Sequence, residues 1–227
     1  MNRQGSFIVN PALIAAVLIL SGMALLSACG GSPPVYVQQY IFGYPAPAKD
    51  KAKPVTAAVK VQRFTALPQF SSQRMFYRPG TYKMNFYNNR RWQGYPSDMA
   101  AGLLARDMGE SGRFAAVFGP SSTQMPRFML EGALVKCWED DMAGGPTAEL
   151  ELDITLLDIQ QSEPVKRVLF QKRYRSSRGM SAKTADSLAQ AMSQAMAEIS
   201  PQVGEDVYQA VAKRLAEGEP PLEKPVK

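Results

Sequence analysis

The sequence predicts an α/β (α+β) fold. It is a single small domain, mainly an antiparallel sheet with two amphipathic helices packed on one face, set after a signal peptide and a tether. Three observations predict it. Residues 149–156 alternate strictly, with Leu150, Leu152, Ile154 and Leu156 on one side and Glu149, Glu151, Asp153 and Thr155 on the other. That is the period of a strand with one wet face. Two short turns, Asp140 to Pro146 and Gln161 to Pro164, join this segment to its neighbours, so the three strands form an antiparallel meander. After Pro96 and again after Thr184 the apolar spacing widens to three and four, which is helical.

The chain of 227 residues opens with a polar stretch holding Arg3, then an apolar stretch over residues 7–26 broken by Asn10, Pro11, Ser21 and Gly22. Ser27 and Ala28 lead to Cys29. This order is that of a secretory signal peptide over residues 1–28. The unbroken apolar block, Ala12 to Leu20, is nine residues, against roughly 20 for a bilayer span. The whole window 7–26 just reaches that length, so a transmembrane anchor is the alternative. Leu26-Ser27-Ala28-Cys29 resembles the bacterial lipobox. That resemblance implies cleavage before Cys29, a diacylglycerol on its thiol and an acyl chain such as palmitate on the new amine. Two or more chains anchor stably where one binds marginally. Cys137 is then without a cysteine partner, and no internal disulfide is expected. Gly30 stands where the enterobacterial sorting rule places aspartate in inner-membrane lipoproteins. The expected location is therefore the outer membrane, on its periplasmic face.

Residues 29–54 read as a tether. Prolines 33, 34, 45, 47 and 54 exclude a continuous helix. Tyr36, Tyr40, Phe42 and Tyr44 are more aromatic than a spacer needs, and part of the segment is expected to dock as an edge strand. The folded domain is expected over residues 55–215. Val55 to Phe64 reads as a strand. Arg74 to Arg78 and Tyr82 to Tyr87 read as a pair across Pro79-Gly80. Met99, Leu103, Leu104 and Met108 define the first helix, ended by Gly109 and Gly112. Phe114–Phe118 is a short strand, and the meander is Arg127–Trp138, Thr147–Ile159 and Val165–Tyr174. Thr184 caps a long helix reaching Leu215, which Pro201 is expected to kink or split. Its stripe of Leu188, Met192, Met196, Ile199, Val203 and Val207 reads as core, or as a lipid groove given its methionines. Residues 216–227 are charged and proline-rich, which predicts a disordered tail.

The composition argues against an enzyme. There is no histidine, which removes the commonest general base and metal ligand. No G-x-S-x-G, phosphate loop or zinc spacing occurs, and no cofactor or catalytic residue is expected. Cys137 reads as a buried structural thiol. Glu139-Asp140-Asp141 is either a cation or carboxylate-pair site or a solvated hairpin tip. The net charge is +6, and Lys166, Arg167, Lys172, Arg173, Arg175, Arg178 and Lys183 cluster. Nucleic acid is excluded outside the inner membrane. An acidic protein face, anionic lipid, lipopolysaccharide or peptidoglycan remain as partners, beside the plainer reading of a soluble strand face. Arg90, Arg91, Trp92 and Tyr95 read either as a docking surface or as a packed corner between strand and helix.

These residues resemble a known family. Phe76-Tyr77-Arg78, the run Tyr87-Asn88-Asn89-Arg90-Arg91-Trp92 with Tyr95-Pro96, and Leu103-Leu104 match auxiliary lipoproteins of ABC-type transport systems, of the paraquat-inducible protein C type. Gly112-Arg113-Phe114, Phe128 to Gly132, and Leu188-Ala189 with Ala191-Met192 extend the likeness across roughly residues 55–213. Tyr36 to Phe42 matches the family's first strand only loosely. The resemblance implies a non-enzymatic partner of mammalian-cell-entry (MCE) domain proteins and ABC transporter subunits, moving phospholipid or other hydrophobic molecules between membranes. It also implies a small α/β layer. The alternative role is a structural or regulatory lipoprotein that activates a cell-wall synthase or builds a secretion pore, possible as a homo-oligomer.

Overall fold

A computed structural model describes residues 35–142 and 144–218. The chain divides into two units, Met1–Tyr36 and Val37–Lys227. The expected signal peptide, lipobox and Cys29 lie outside the described residues, as does the tail beyond Gly218.

The second unit is built on one nine-stranded sheet. Its spine is β7 (Phe128–Asp140), paired along its whole length with β8 (Thr147–Asp158), which pairs in turn with β9 (Val168–Gly179), both antiparallel. This is the meander that the alternation and short turns predict. Leu150, Leu152, Ile154 and Leu156 are buried on one face. The last strand begins later than expected, because Pro164 starts a single helical turn, α2 (Pro164–Arg167), before it. Tyr174 and Ser176 then carry the strand on to Gly179, because both face the long helix and are buried there.

The other side of β7 is parallel, which the alternation does not reveal. Residues 55–80 run beside it as an interrupted strand. β2 (Val55–Val61), β3 (Thr65–Ala66) and β4 (Arg74–Gly80) pair in succession with its beginning, middle and end. A 3-10 turn at Pro68–Phe70 fills the second break. Phe64, in the first break, lies across Gly132. A Cβ there would stand 2.6 Å from the phenyl ring, so only glycine fits. Outward from β2 lies β6 (Phe114–Phe118), parallel; outward from β4 lie β5 (Lys83–Trp92), antiparallel, and then β1 (Gln38–Tyr40), parallel to β5. The expected edge strand in the tether is thus present. The sheet is mixed, with its two longest ladders antiparallel.

Two long helices cover one face. α1 (Pro96–Glu110) starts on a proline at its first turn and has Asp98 near its positive end. It ends before Gly112, whose φ of 69° is the left-handed conformation glycine adopts most readily. Gly109 stays inside the helix. α3 (Ala185–Ala216) is capped by Thr184, whose hydroxyl accepts from the Ser187 amide at 3.2 Å. It is 32 residues and unbroken across Pro201, so the expected split does not occur. Leu188, Met192, Met196, Ile199, Val203 and Val207 are fully buried. The methionine stripe is therefore core, each such side chain stabilising by roughly 1.5–3 kcal/mol relative to exposure.

Candidate partner-binding surface

The residues between β1 and β2 form a strap over the helices rather than a loose spacer. The Gly43 amide donates to Ser193 Oγ at 3.0 Å and the Tyr44 hydroxyl to Asp107 Oδ2 at 2.6 Å. Asp107, itself buried, also accepts from Ser200 and from Arg106, which reaches the Tyr44 carbonyl as well. Arg113 ties Asp50 to Glu205. Beneath this strap lies a cavity of about 270 Å³ walled by Pro45, Pro47, Met108, Ala197, Pro201 and Gly204.

Trp92 is where the strap meets the sheet. It is 1% exposed, with its ring edge-on to Phe42 at 4.9 Å. Of the two readings of this corner, Trp92 takes the packed one: no surface of its indole is open to a partner. Its indole N–H finds no hydrogen-bond partner among the described residues. Tyr95, the N-cap of α1, is 48% exposed. Beside it an open apolar groove is lined by Ile41, Phe42, Gly94, Met99 and Leu103. Arg91 is exposed and Arg90 half-buried, and neither has a carboxylate partner among the described residues. Trp92 therefore holds Arg91, Tyr95 and the groove in place from below.

The corner continues into the β4–β5 hairpin. Tyr82 is 98% exposed, and Met84 and Phe86 are exposed beyond it. A sequence reading that took Tyr82, Met84 and Phe86 simply as one face of a strand missed this surface; three apolar residues beside a Pro-Gly turn were the available signal.

The other candidates resolve as structure. Every basic residue on β9 is matched to an acid. Lys172 pairs with Asp206, Arg173 with Asp153 and Glu151, Arg175 with Glu151, and Arg178 with Glu198. Lys183, in the turn before α3, pairs with Asp141. The Glu139-Asp140-Asp141 run is not a bare hairpin tip. Glu139 is buried and accepts from the Tyr87 hydroxyl, and Asp140 pairs with Arg78. Burial and the neighbouring Asp141 charge raise the Glu139 carboxyl above its usual range, against the Tyr87 hydrogen bond. No cluster of metal-ligating side chains is present among the described residues. Burial pushes the Cys137 thiol up to about 12, far from a reactive thiolate.

No curated protein matches this chain. Solved structures do. A Xanthomonas campestris protein of the DUF330 family superposes with a TM-score of 0.70 at 20% identity, covering 79% of this chain and 99% of its own. A hypothetical protein from Chlamydia trachomatis superposes with a TM-score of 0.51 at 8% identity, covering 69% and 98%. Both share the fold. The model of the ABC-type transport auxiliary lipoprotein component matches residues 40–204, from β1 through the middle of α3, and the chain belongs to that family.

Proposed function

We propose that this lipoprotein is a non-enzymatic adaptor of an MCE-type ABC transport system. It works at the periplasmic face of the outer membrane and serves the movement of lipids or other hydrophobic molecules between membranes. Cys29 carries the anchor. The strap takes up residues 38–54, so the span left between Cys29 and Val37 is eight residues, or roughly 25–30 Å fully extended. The domain therefore works close to its membrane. A longer tether, reaching about 75 Å, would require the strap to detach.

The observation that carries this reading is the corner at Tyr95. An exposed aromatic, an apolar groove and the guanidinium of Arg91, which has no carboxylate partner among the described residues, are fixed by a buried tryptophan. Aromatic and arginine side chains on a rigid support are what protein interfaces favour. The basic residues of β9 and the buried Asp107, Glu151 and Asp158 are used in structural pairs, which supports a binding role over catalysis.

The test is affinity purification of the full chain, tagged at its C-terminus, from membranes in mild detergent. Tyr95→Ala with Arg91→Glu is the interface variant. Co-purification of MCE-domain and ABC transporter subunits, lost in the variant, supports the adaptor. Recovery of a cell-wall synthase, a secretion component or copies of this chain alone would refute it in favour of the structural role.

A further inference from the structure

Among the described residues, most arginines are matched. Arg113 pairs with Asp50 and Glu205, and Arg127 and Arg214 share Asp158. Arg63, Arg78, Arg106 and the three arginines of β9 have carboxylates too, and Arg167 donates to backbone carbonyls. Three further arginines are matched by no carboxylate, and of these Arg90 donates to the carbonyl of its neighbour Asn89 at 3.3 Å. Arg74, Arg90 and Arg91 have no carboxylate within ion-pair distance among the described residues, and all three line one groove of about 430 Å³.

The groove exists because β5 bulges. Arg74 pairs with Arg91 and Phe76 with Phe86, so Tyr87 to Arg90 stand opposite the single residue Met75. Asn89 takes the left-handed turn that the bulge needs, at φ 55°. The remaining lining is Ser72, Gln73, Phe86, Tyr87 and Asn89, with no acid among them. The Arg74 guanidinium lies 4.2 Å from the centroid of the Phe86 ring, which orients it without neutralising it. Next to the groove, Phe86, Met84 and Tyr82 expose apolar surface toward the hairpin tip.

We propose that this groove binds the phosphate of an anionic glycerophospholipid headgroup, with the apolar part of the lipid lying along Phe86 and Met84. Three guanidiniums offer more donors than the two oxygens of one carboxylate accept, and guanidinium pairs bidentately with phosphate oxygens. The adjoining aromatic and thioether surface selects an amphiphile over a bare ion. The assignment does not rest on the adaptor reading: Arg91 is shared with the Tyr95 corner, but Arg74, Phe86 and Met84 lie outside it, so Arg74→Gln and Phe86→Ser test the groove alone and Tyr95→Ala tests the corner alone. Partner capture can fail while the groove binds, and the reverse.

The test uses the purified full chain in a non-ionic detergent, titrated with dihexanoyl phosphatidylglycerol by calorimetry. Glycerol 3-phosphate, dihexanoylglycerol and a glutamate-rich peptide are parallel ligands. Saturable binding to the phosphatidylglycerol is expected, weakened by about tenfold or more when Arg74, Arg90 and Arg91 are all changed to Gln, and unchanged in Arg175→Gln. Phe86→Ser should weaken the lipid and leave glycerol 3-phosphate as it was. The triple variant breaks no ion pair, and an unchanged melting curve checks its fold; Arg91→Gln alone is the milder second variant. Equal binding of dihexanoylglycerol, or wild-type binding by the triple variant, overturns the phosphate site. Glycerol 3-phosphate binding as tightly as the lipid overturns the lipid assignment. Tighter binding of the acidic peptide overturns it in favour of a protein docking groove.

Discussion

One sheet carries two edges that use the same residue types in opposite ways. At the β8–β9 edge, under α3, cations and acids interlock. Glu151 is 2% exposed on the outer face, covered by Lys136, Arg173 and Arg175. At the β4–β5–β1 edge, Arg74, Arg90 and Arg91 stand without carboxylate partners among the described residues, beside Tyr82, Met84 and Phe86 in solvent. The first edge closes its surface by internal pairing. The second leaves donors and apolar area unspent. Arginine alone does not distinguish them: β8 and β9 balance four bases with four acids, whereas β1, β4 and β5 carry five bases and no acid. What separates a solvated structural face from a binding face here is whether acids sit across from the bases.

The largest expected effect falls where the second edge is pinned to the core. Trp92→Ala should destabilise by about 3–5 kcal/mol, since it empties a site sealed by Phe42. Trp92→Phe should cost far less, about 1–2 kcal/mol, because the indole N–H it removes is already buried without a partner. Urea unfolding of the pair measures this. An alanine variant with wild-type stability that lost its partner would return Trp92 to the docking surface. On the paired side, Asp158→Asn should cost about 3–5 kcal/mol, because it removes the charge of a fully buried carboxylate that Arg127 and Arg214 share. A cost under about 1 kcal/mol would show that this edge is no more closely coupled than a surface ion pair.

The strand order of the paired edge was legible in the sequence; of the open edge the β4–β5 pair and the docked tether strand were legible, but not their joining to β7, for a physical reason. From Glu149 to Leu156 each residue's neighbours are fixed by alternation, so burial and strand order follow from local pattern. The same holds for the α3 stripe and the Thr184 cap. The parallel joining of β2, β3 and β4 to β7 depends on contacts distant in sequence, and nothing in Val55 to Gly80 specifies its partner. The lysines and arginines of β9 gave a cluster in sequence, but their acids lie on β8 and α3, so neutralisation was invisible. The Arg90 to Tyr95 corner was visible as a motif. Its division into a buried Trp92 and an exposed Tyr95 was set by Phe42, fifty residues earlier in the chain.

Acid and neutral pH should act on the two edges with opposite sign. Burial opposes ionisation of Asp158, yet the Arg127 hydrogen bonds and charge hold its carboxyl below the ordinary range, and Arg173 does the same for Asp153. A depressed carboxylate contributes stability that is complete above the ordinary aspartate range and lost as pH falls through the folded value. Glu139, on the side of β7 that meets β4 and bonded to Tyr87, is raised by burial and by Asp141. Its contribution is complete below the ordinary glutamate range and lost as pH rises through its folded value. Urea midpoints between about pH 3 and pH 7 should rise with pH overall. Asp158→Asn should flatten the acid limb, and Glu139→Gln should steepen the net rise. A Glu139→Gln profile parallel to wild type would mean that Tyr87 compensates its burial completely.

The smallest expected effect on stability is the sharpest test of the comparison. Met84→Ser and Phe86→Ser remove apolar surface that is exposed, so each should change stability by no more than about 0.5 kcal/mol. A core position offers the contrast: Leu152→Ala, at 0% exposure, should cost about 2–5 kcal/mol. Phe86 does touch Phe76 edge-on at 6.4 Å and supports Arg74, contacts that give its deletion a route to higher cost. If Phe86→Ser proves costly while Met84→Ser is silent, the hairpin's aromatics belong to the fold, and the open edge narrows to Tyr82, Met84 and the arginines. If both are silent, residues that contribute nothing measurable to folding are held in solvent on a rigid hairpin. Surface of that kind is accounted for by what it binds, since stability gives no reason to keep it.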